Sequence, residues 1–264
     1  MMDRVKAAQR LREAERTGKP IPPFTSGEEK ITVEDAYQIQ LLNIRERIAQ
    51  GAEVKGLKIG LTSKPMQDMF GVNTPDYGHI LDDMVYGSDE PVKAGAFIQP
   101  KVEFEIAFFL KQDLKGPDVM AEDVLAATDY VVPAVEIIDS RIRDWKFKFE
   151  DTVADNGSSA GAVLGDKRTG LDGIDLAGIG MKAYKNGELL DEATGAAVMG
   201  NPANAVAWLA NAVAEYGIEL KAGQFILSGA LAAAVPFEPG DEFRADFGNL
   251  GDVSVSFATE EVMN

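Results

Sequence analysis

Cysteine is absent from the sequence, and histidine occurs once, at His79. The first absence excludes disulfides, thiolate nucleophiles and cysteine-based zinc sites. The second excludes histidine-rich metal sites and leaves at most one imidazole for acid–base work. Positive charge is scarce as well: 26 Lys and Arg stand against 43 Asp and Glu, a formal net charge of −17. Phosphate recognition needs clustered Lys and Arg, so this balance argues against a general binder of nucleic acid or of an anionic membrane. It also makes any site for an anionic substrate depend on a local cation. No apolar run approaches the length of a membrane span, and the N-terminus is charged, without the apolar core of a secretion signal. The expected location is the cytoplasm. The 264 residues suffice for one large domain or two small ones with a substantial core.

Against this background one stretch stands out, KVEFEIAFFL at residues 101 to 110. Val102, Phe104, Ile106, Phe108 and Leu110 alternate with the other set, which predicts a strand with one face in the core. Glu103 and Glu105 then share the second face, roughly 7 Å apart along the strand. Neighbouring carboxylates repel unless a cation or a shared proton lies between them. A second stretch, YVVPAVEIID at residues 130 to 139, is nearly all apolar around Glu136 and reads as a strand buried on both faces. A lone carboxylate there needs a partner. Three glutamates from two strands would make an oxygen-rich site for a hard divalent cation. The alternative is a wet sheet face for Glu103 and Glu105, with Glu136 paired to an arginine.

The rest of the chain supplies the frame. Residues 3 to 16 predict an amphipathic helix with Val5, Ala8 and Leu11 on one side. A second helix starts at Thr32, with Asp35 completing a weak capping box, and carries Tyr37, Leu41, Ile44 and Ile48 as its stripe. VKGLKIGLT at residues 54 to 62 reads as a strand with Lys58, Gly60 and Thr62 on one face, followed by a short helix from Ser63 to Phe70. Residues 140 to 165 are polar and irregular in period, as functional loops tend to be. Asn186-Gly187 predicts a hairpin. Asn201-Pro202 opens a helix with Val206, Leu209, Val213 and Tyr216 as its stripe. Strands follow in QFILSGAL, EFRADF and DVSVSF. The expectation is an α+β fold, with residues 1–52 as a helical N-terminal cap region and 53–264 as one β-rich body.

Several further residues could carry chemistry. Lys58, between apolar neighbours, would attract an anion or move a proton if it faces a cavity; otherwise it points to solvent or pairs with a glutamate. Asp76 and His79 lie in a turn-rich segment and could be turn residues only. Asp155 to Ser159 could surround a substrate or form an ordinary Asx turn. Ser228, beside Gly229, could contact a carboxylate or simply end a strand. No phosphate-binding glycine loop or nucleophile elbow stands in a supporting context.

Taken in order, GLKIGLTS, PDYG, PKVEFEIAF, VPAVEIIDSRI, DTVADNGSS, NPANAVAWLAN and ILSGAL carry more than any one of them. With these seven segments the chain resembles the 2-hydroxypenta-2,4-dienoate (2-oxopent-4-enoate) hydratases of meta-cleavage aromatic degradation, within the fumarylacetoacetate hydrolase superfamily. The resemblance runs from about residue 3 to 257. It implies a mixed β-roll or barrel body with a helical N-terminal region. It implies that Glu103, Glu105 and Glu136 hold Mg²⁺ or Mn²⁺, that Lys58 and Asp76 act in catalysis, and that Ser159, Ser228 and Asp155 meet the substrate. Ser228 departs from the threonine often found there but keeps the hydroxyl. A homo-oligomer, pentamer or decamer, and a complex with pathway enzymes are also implied. The sibling 4-oxalocrotonate decarboxylases share nearly all these segments, though residues 140 to 152 look more like the hydratases. Two other readings stand beside it. One is hydrolysis of an acylpyruvate, which commonly needs a His–Glu pair and has only His79 to offer. The other is an inactive metal-binding scaffold subunit.

Overall fold

The computed structural model describes residues 2–88 and 90–258. Helices α1 (Arg4–Thr17) and α2 (Val33–Ala49) precede strand β1 (Val54–Gly60). A short helix α3 (Lys64–Phe70) leads to β2 (Asp76–Leu81), β3 (Val85–Tyr86), β4 (Val92–Lys93) and β5 (Lys101–Leu110). Then come α4 (Ala121–Ala127), β6 (Thr128–Ile138), α5 (Phe149–Ala154), β7 (Ser159–Leu164), β8 (Gly180–Lys185) and β9 (Glu188–Thr194). Helix α6 (Pro202–Ala214) precedes β10 (Phe225–Leu227), β11 (Val235–Pro236), β12 (Glu242–Asp246) and β13 (Asp252–Ala258).

Eight strands form a mixed sheet in the order β2-β1-β10-β5-β6-β7-β3, with β11 also paired to β5. Five form a second sheet, β4-β13-β12-β8-β9. The α+β, mixed-sheet body expected from the sequence is therefore present, with α1 and α2 at the N-terminal end. Alternation along the central strands sorts the eight-stranded sheet into two faces. One face, with Leu57, Ile59, Phe104, Ile106, Phe108, Val135 and Ile137, enters the main core together with Phe243, Phe247 and Phe257 of the second sheet's region. The other packs Ile80, Ala107, Val132, Ala134, Ala162, Phe225 and Leu227 into a smaller cluster. Lys58, Glu103, Glu105 and Glu136 belong to this second face by the same alternation.

Local signals explain most elements. Thr32 caps α2 and forms the full reciprocal box with Asp35, and Asn201 accepts from the Ala203 amide at the start of α6. Two predicted helix stripes are corrected. In α1 the buried side is Ala7, Ala8, Leu11 and Ala14, while Val5 is exposed. In α2 Ile48 is exposed, and the deep positions are Ala36, Ile39 and Gln40. The polar amide at 40 takes a core position because it is fully used. Its Nε2 donates to the Tyr77 and Val153 carbonyls at 3.0 and 2.8 Å. Residues 140 to 165, read as irregular, contain α5 and β7. Among the described residues no helix is long and apolar enough to cross a membrane.

Gln40 also fixes the one histidine. With its amide nitrogen spent on carbonyls, its Oε1 accepts from His79 Nδ1 at 3.1 Å. Burial pushes the imidazole pKa down to about 4, so the ring is neutral at physiological pH. Unfolded, it titrates near 6.5. The folded-state value is the depressed one, so this contribution to stability is complete above pH 6.5 and is lost as pH falls toward 4. It amounts to about 3 kcal/mol across that window. Chemical denaturation of wild type and His79→Gln from pH 7.5 to 4 should show the gap between them closing as pH falls. A pH-independent gap would place the acid sensitivity elsewhere.

Candidate metal centre and active site

Strands β5 and β6 are antiparallel neighbours, and their register sets Glu103 directly opposite Glu136. Glu105 lies two residues along on the same face. The three glutamates each offer a carboxylate oxygen within 4.8 Å of the others. Glu105 and Glu136 are completely buried. Among the described residues, Glu105 Oε1 and both oxygens of Glu136 have no hydrogen-bond partner. Buried, unsatisfied carboxylate oxygens in such a cluster are costly on their own. They are the donor set a hard divalent cation requires, so the residues fit a bound metal ion. Desolvation raises all three carboxyls above their ordinary range, helped by neighbouring carboxylates and opposed by Lys58, with Glu136 pushed up to about 7.

Strand β1 delivers the cation of the site. Lys58 pairs with Leu227 of β10 on one side and Gly78 of β2 on the other, and is 3% exposed. Its ammonium lies 3.4 Å from Glu136 and donates to the Gly157 carbonyl at 3.0 Å. Burial alone would lower its pKa. The charges of Glu136, Asp76, Glu103 and Glu105 outweigh that and hold it above its usual value, so it stays protonated.

Asp76, first residue of β2, sits across from Gly60 and is buried. Its Oδ1 has no hydrogen-bond partner among the described residues. Only glycine suits position 60, since a Cβ there would come within 2.2 Å of that oxygen. Desolvation raises the Asp76 carboxyl, with Lys58 pulling against it. Glu105 Oε2 is anchored by the Gly229 amide at 2.7 Å. Gly229 has a φ of +115° and packs on Thr62, a geometry that favours glycine.

The remaining sequence candidates are placed as follows. Ser159 is buried with its hydroxyl toward Glu136, whose carboxyl it helps to hold down, and makes no close hydrogen bond among the described residues. Ser228 spends its hydroxyl on the Ile106 carbonyl at 2.9 Å, which fixes the strand end that presents Gly229. The Asp155 carboxylate is consumed within the fold: it accepts from Arg141 Nε at 2.6 Å, the Arg141 amide at 3.0 Å and Ser140 at 3.1 Å. His79 alternates with Asp76 on β2 and faces Gln40 instead of the carboxylates. Sequence reasoning missed the Gly229 amide, the Gly157 carbonyl and Arg141. The two backbone groups leave no side-chain signal, and Arg141 was hidden in a stretch read as loop. A surface cleft of about 700 Å³ lined by Tyr37, Tyr77, Trp208 and Tyr216 lies elsewhere and includes none of the three glutamates.

The sequence from 48 to 258 matches the family model described as fumarylacetoacetate (FAA) hydrolase C-terminal. The chain belongs to the fumarylacetoacetate hydrolase family. Two relatives within it are hydratases. The 2-hydroxyhexa-2,4-dienoate hydratase of Comamonas testosteroni is 50% identical over 251 residues, 94% of this chain and 95% of that one. A 2-keto-4-pentenoate hydratase of Paraburkholderia xenovorans is 45% identical, over 98% and 96%. Among solved structures, the 4-oxalocrotonate decarboxylase of Pseudomonas putida G7, complexed with magnesium and adipate, superposes with a TM-score of 0.91. It is 39% identical, over 97% of this chain and 99% of that one. The mixed-sheet body and helical N-terminus of this chain are thus those of the fumarylacetoacetate hydrolase fold.

Proposed function

We propose that this chain is a metal-dependent hydro-lyase that hydrates 2-hydroxypenta-2,4-dienoate, or a homologue with a slightly longer tail, to the 4-hydroxy-2-oxo acid. The reaction belongs to aromatic catabolism. The observation that carries the reading is the cluster of three glutamates, two of them buried with unsatisfied oxygens, beside a protonated lysine, in a chain half identical to a dienoate hydratase. Hydratases at 45–50% identity favour this reaction over the decarboxylation performed by the structural neighbour. Glu103, Glu105 and Glu136 would hold the ion, Mg²⁺ or Mn²⁺. Magnesium is supported by the decarboxylase complex. A divalent ion held by these three carboxylates would supply Lewis-acid polarisation to a bound 2-oxo acid.

The chain's own residues divide the remaining work. Lys58 cannot act as a base while it holds its proton. Its ammonium gives positive charge and hydrogen bonds to substrate oxygen in a pocket otherwise lined by acids. Asp76 Oδ1 is the open acceptor, and its raised pKa suits a group that takes a proton and returns it. Ketonisation moves the 2-hydroxyl proton to carbon 5. Water then bonds carbon 4 while carbon 3 gains a proton, so each step conserves atoms. The Ser159 hydroxyl is free to bind substrate. Ser228 and Asp155 act through Gly229 and Arg141. Assembly as a homo-oligomer in the cytoplasm is part of the same proposal.

Purified protein with Mg²⁺ should abolish the ultraviolet absorbance of freshly made 2-hydroxypenta-2,4-dienoate and yield 4-hydroxy-2-oxopentanoate by mass spectrometry. Inertness toward that substrate, with carbon dioxide released from 4-oxalocrotonate, would assign the chain to decarboxylation instead.

A further inference from the structure

Exposure along β5 shows where the site opens. Glu105 and Glu136 are completely buried, whereas Glu103 and Lys101 are partly exposed. The inner end is closed by the packed side chains of Ala107, Ala134 and Leu227. The exposed edge of the glutamate cluster is therefore its Lys101 side. The rim there is built from aromatic rings. Trp145 is fixed by its Nε1 donating to the Gln99 carbonyl at 2.9 Å. The Lys101 ammonium lies 4.2 Å above its ring. Phe147 packs 5.8 Å from Trp145 and 5.8 Å from Phe70 of α3. Helix α3 sits in the excursion between Gly60 and Asp76, both at the site.

The charge of this rim runs against that of the molecule. Arg143, Lys146 and Lys148 alternate with the aromatic residues of the rim segment and are exposed. Asp144 and Glu150 are the anions of the same segment. Among the described residues, none of Lys101, Arg143, Lys146 and Lys148 is in an ion pair. Meanwhile the pocket behind them holds four carboxylates, Asp76, Glu103, Glu105 and Glu136, against one ammonium. Even with a divalent ion it stays negative if all four are ionised. A carboxylate substrate approaching a protein of net charge −17 would be repelled without an opposing field at the opening.

We propose that Lys101, Arg143, Lys146 and Lys148 form a basic collar that captures small carboxylate substrates and guides them into the acidic site. The identity of the substrate rests on the hydratase reading; the collar itself rests on charge and geometry. The rim aromatics hold Lys101 at the opening and offer an apolar wall to the hydrocarbon part of a dienoate. The collar acts on substrate association and on the field felt by the bound carboxylate, not on the chemical step, so its removal weakens binding and leaves kcat unchanged. Its influence is confined to about one Debye length, roughly 8 Å at physiological ionic strength, and is screened by salt.

The test uses the charge reversal Lys146→Glu/Lys148→Glu, at two exposed positions, together with Lys101→Met and Lys101→Arg. At about 20 mM ionic strength, the double reversal should lower kcat/KM roughly tenfold through KM, with kcat unchanged, and the loss should shrink below about twofold at 0.5 M salt. Lys101→Met should lose about threefold, and Lys101→Arg should retain wild-type behaviour. Calorimetric affinity of the magnesium-loaded protein for 2-oxopentanoate, which lacks the reacting double bond, should follow the same salt dependence. Unchanged affinity and salt slope in the double reversal, or a loss expressed in kcat and insensitive to salt, would overturn the collar. Failure of wild type to turn over a dienoate would count against the hydratase reading alone, because 2-oxopentanoate binding still tests the collar.

Discussion

Glu136→Gln is expected to lower affinity for the divalent ion by at least about 100-fold, because a neutral amide is a poor ligand for a hard cation. Turnover should fall about 10³-fold, the several kcal/mol supplied by a bound Lewis acid. The effect on the metal-free protein should have the opposite sign. Glu136 crowds Glu103 and Glu105, and its two oxygens are unsatisfied. Removing its charge relieves repulsion. Lys58 is not left stranded, since Asp76, Glu103 and Glu105 still surround it. In EDTA the variant should melt at or above wild type. With Mg²⁺ at 100 times its dissociation constant, wild type should gain about 2.7 kcal/mol and the variant far less. Melting curves with and without EDTA on both proteins give the answer. A wild type indifferent to EDTA, beside a variant that melts much lower in both conditions, would mean that Glu136 is a structural partner of Lys58 and no metal ligand.

The second large effect lies outside the carboxylate cluster. Arg141 and Asp155 form a buried ion pair, 7% and 2% exposed. Two further Arg141 bonds, to the Ser159 and Asp155 carbonyls, join the segment after β6 to the start of β7. Asp155→Asn removes the counter-charge and leaves a buried guanidinium, at a cost of about 3–5 kcal/mol. For a chain of this size that is a fall of roughly 10 °C in melting temperature. The double change Arg141→Met/Asp155→Leu should lose less than Asp155→Asn alone, because no charge is left buried. Differential scanning calorimetry of the two variants decides it. If Asp155→Asn melts like wild type while KM for the dienoate rises steeply, the carboxylate belongs to the substrate instead.

These cases also mark how far the sequence could be read. The Glu103–Glu105 face was legible because period two is stamped on residues 101 to 110 by alternating large apolar side chains, and their burial follows it. Glu136 was legible as an acid inside an apolar strand. The pairing of Glu103 with Glu136 was not, since register between strands joined by a 17-residue excursion is set by packing that no local pattern records. Lys58 was assigned to the correct face of β1, yet its neighbours come from β2, β6 and the segment around Gly157. Asp155 shows the opposite failure. An Asp-Asn-Gly-Ser string carries a strong turn signal, and that signal masked a carboxylate committed to an arginine fourteen residues earlier. Strand β7 was missed because SAGAVL has few of the branched and aromatic residues that mark strands.

The parallel pairing of β1 with β10 sets Lys58 beside Leu227, and the Gly229 amide just beyond holds Glu105. The site is thus completed by a segment made more than 90 residues after the last of its glutamates. On the ribosome, a chain that has already emitted β1, β5 and β6 still lacks the strand between β1 and β5. Closing so long a span is entropically slow, and formation of the centre waits on it. Nascent chains stopped before residue 225 should therefore leave the facing edges of β1 and β5 unpaired and lack the Gly229 amide that anchors Glu105.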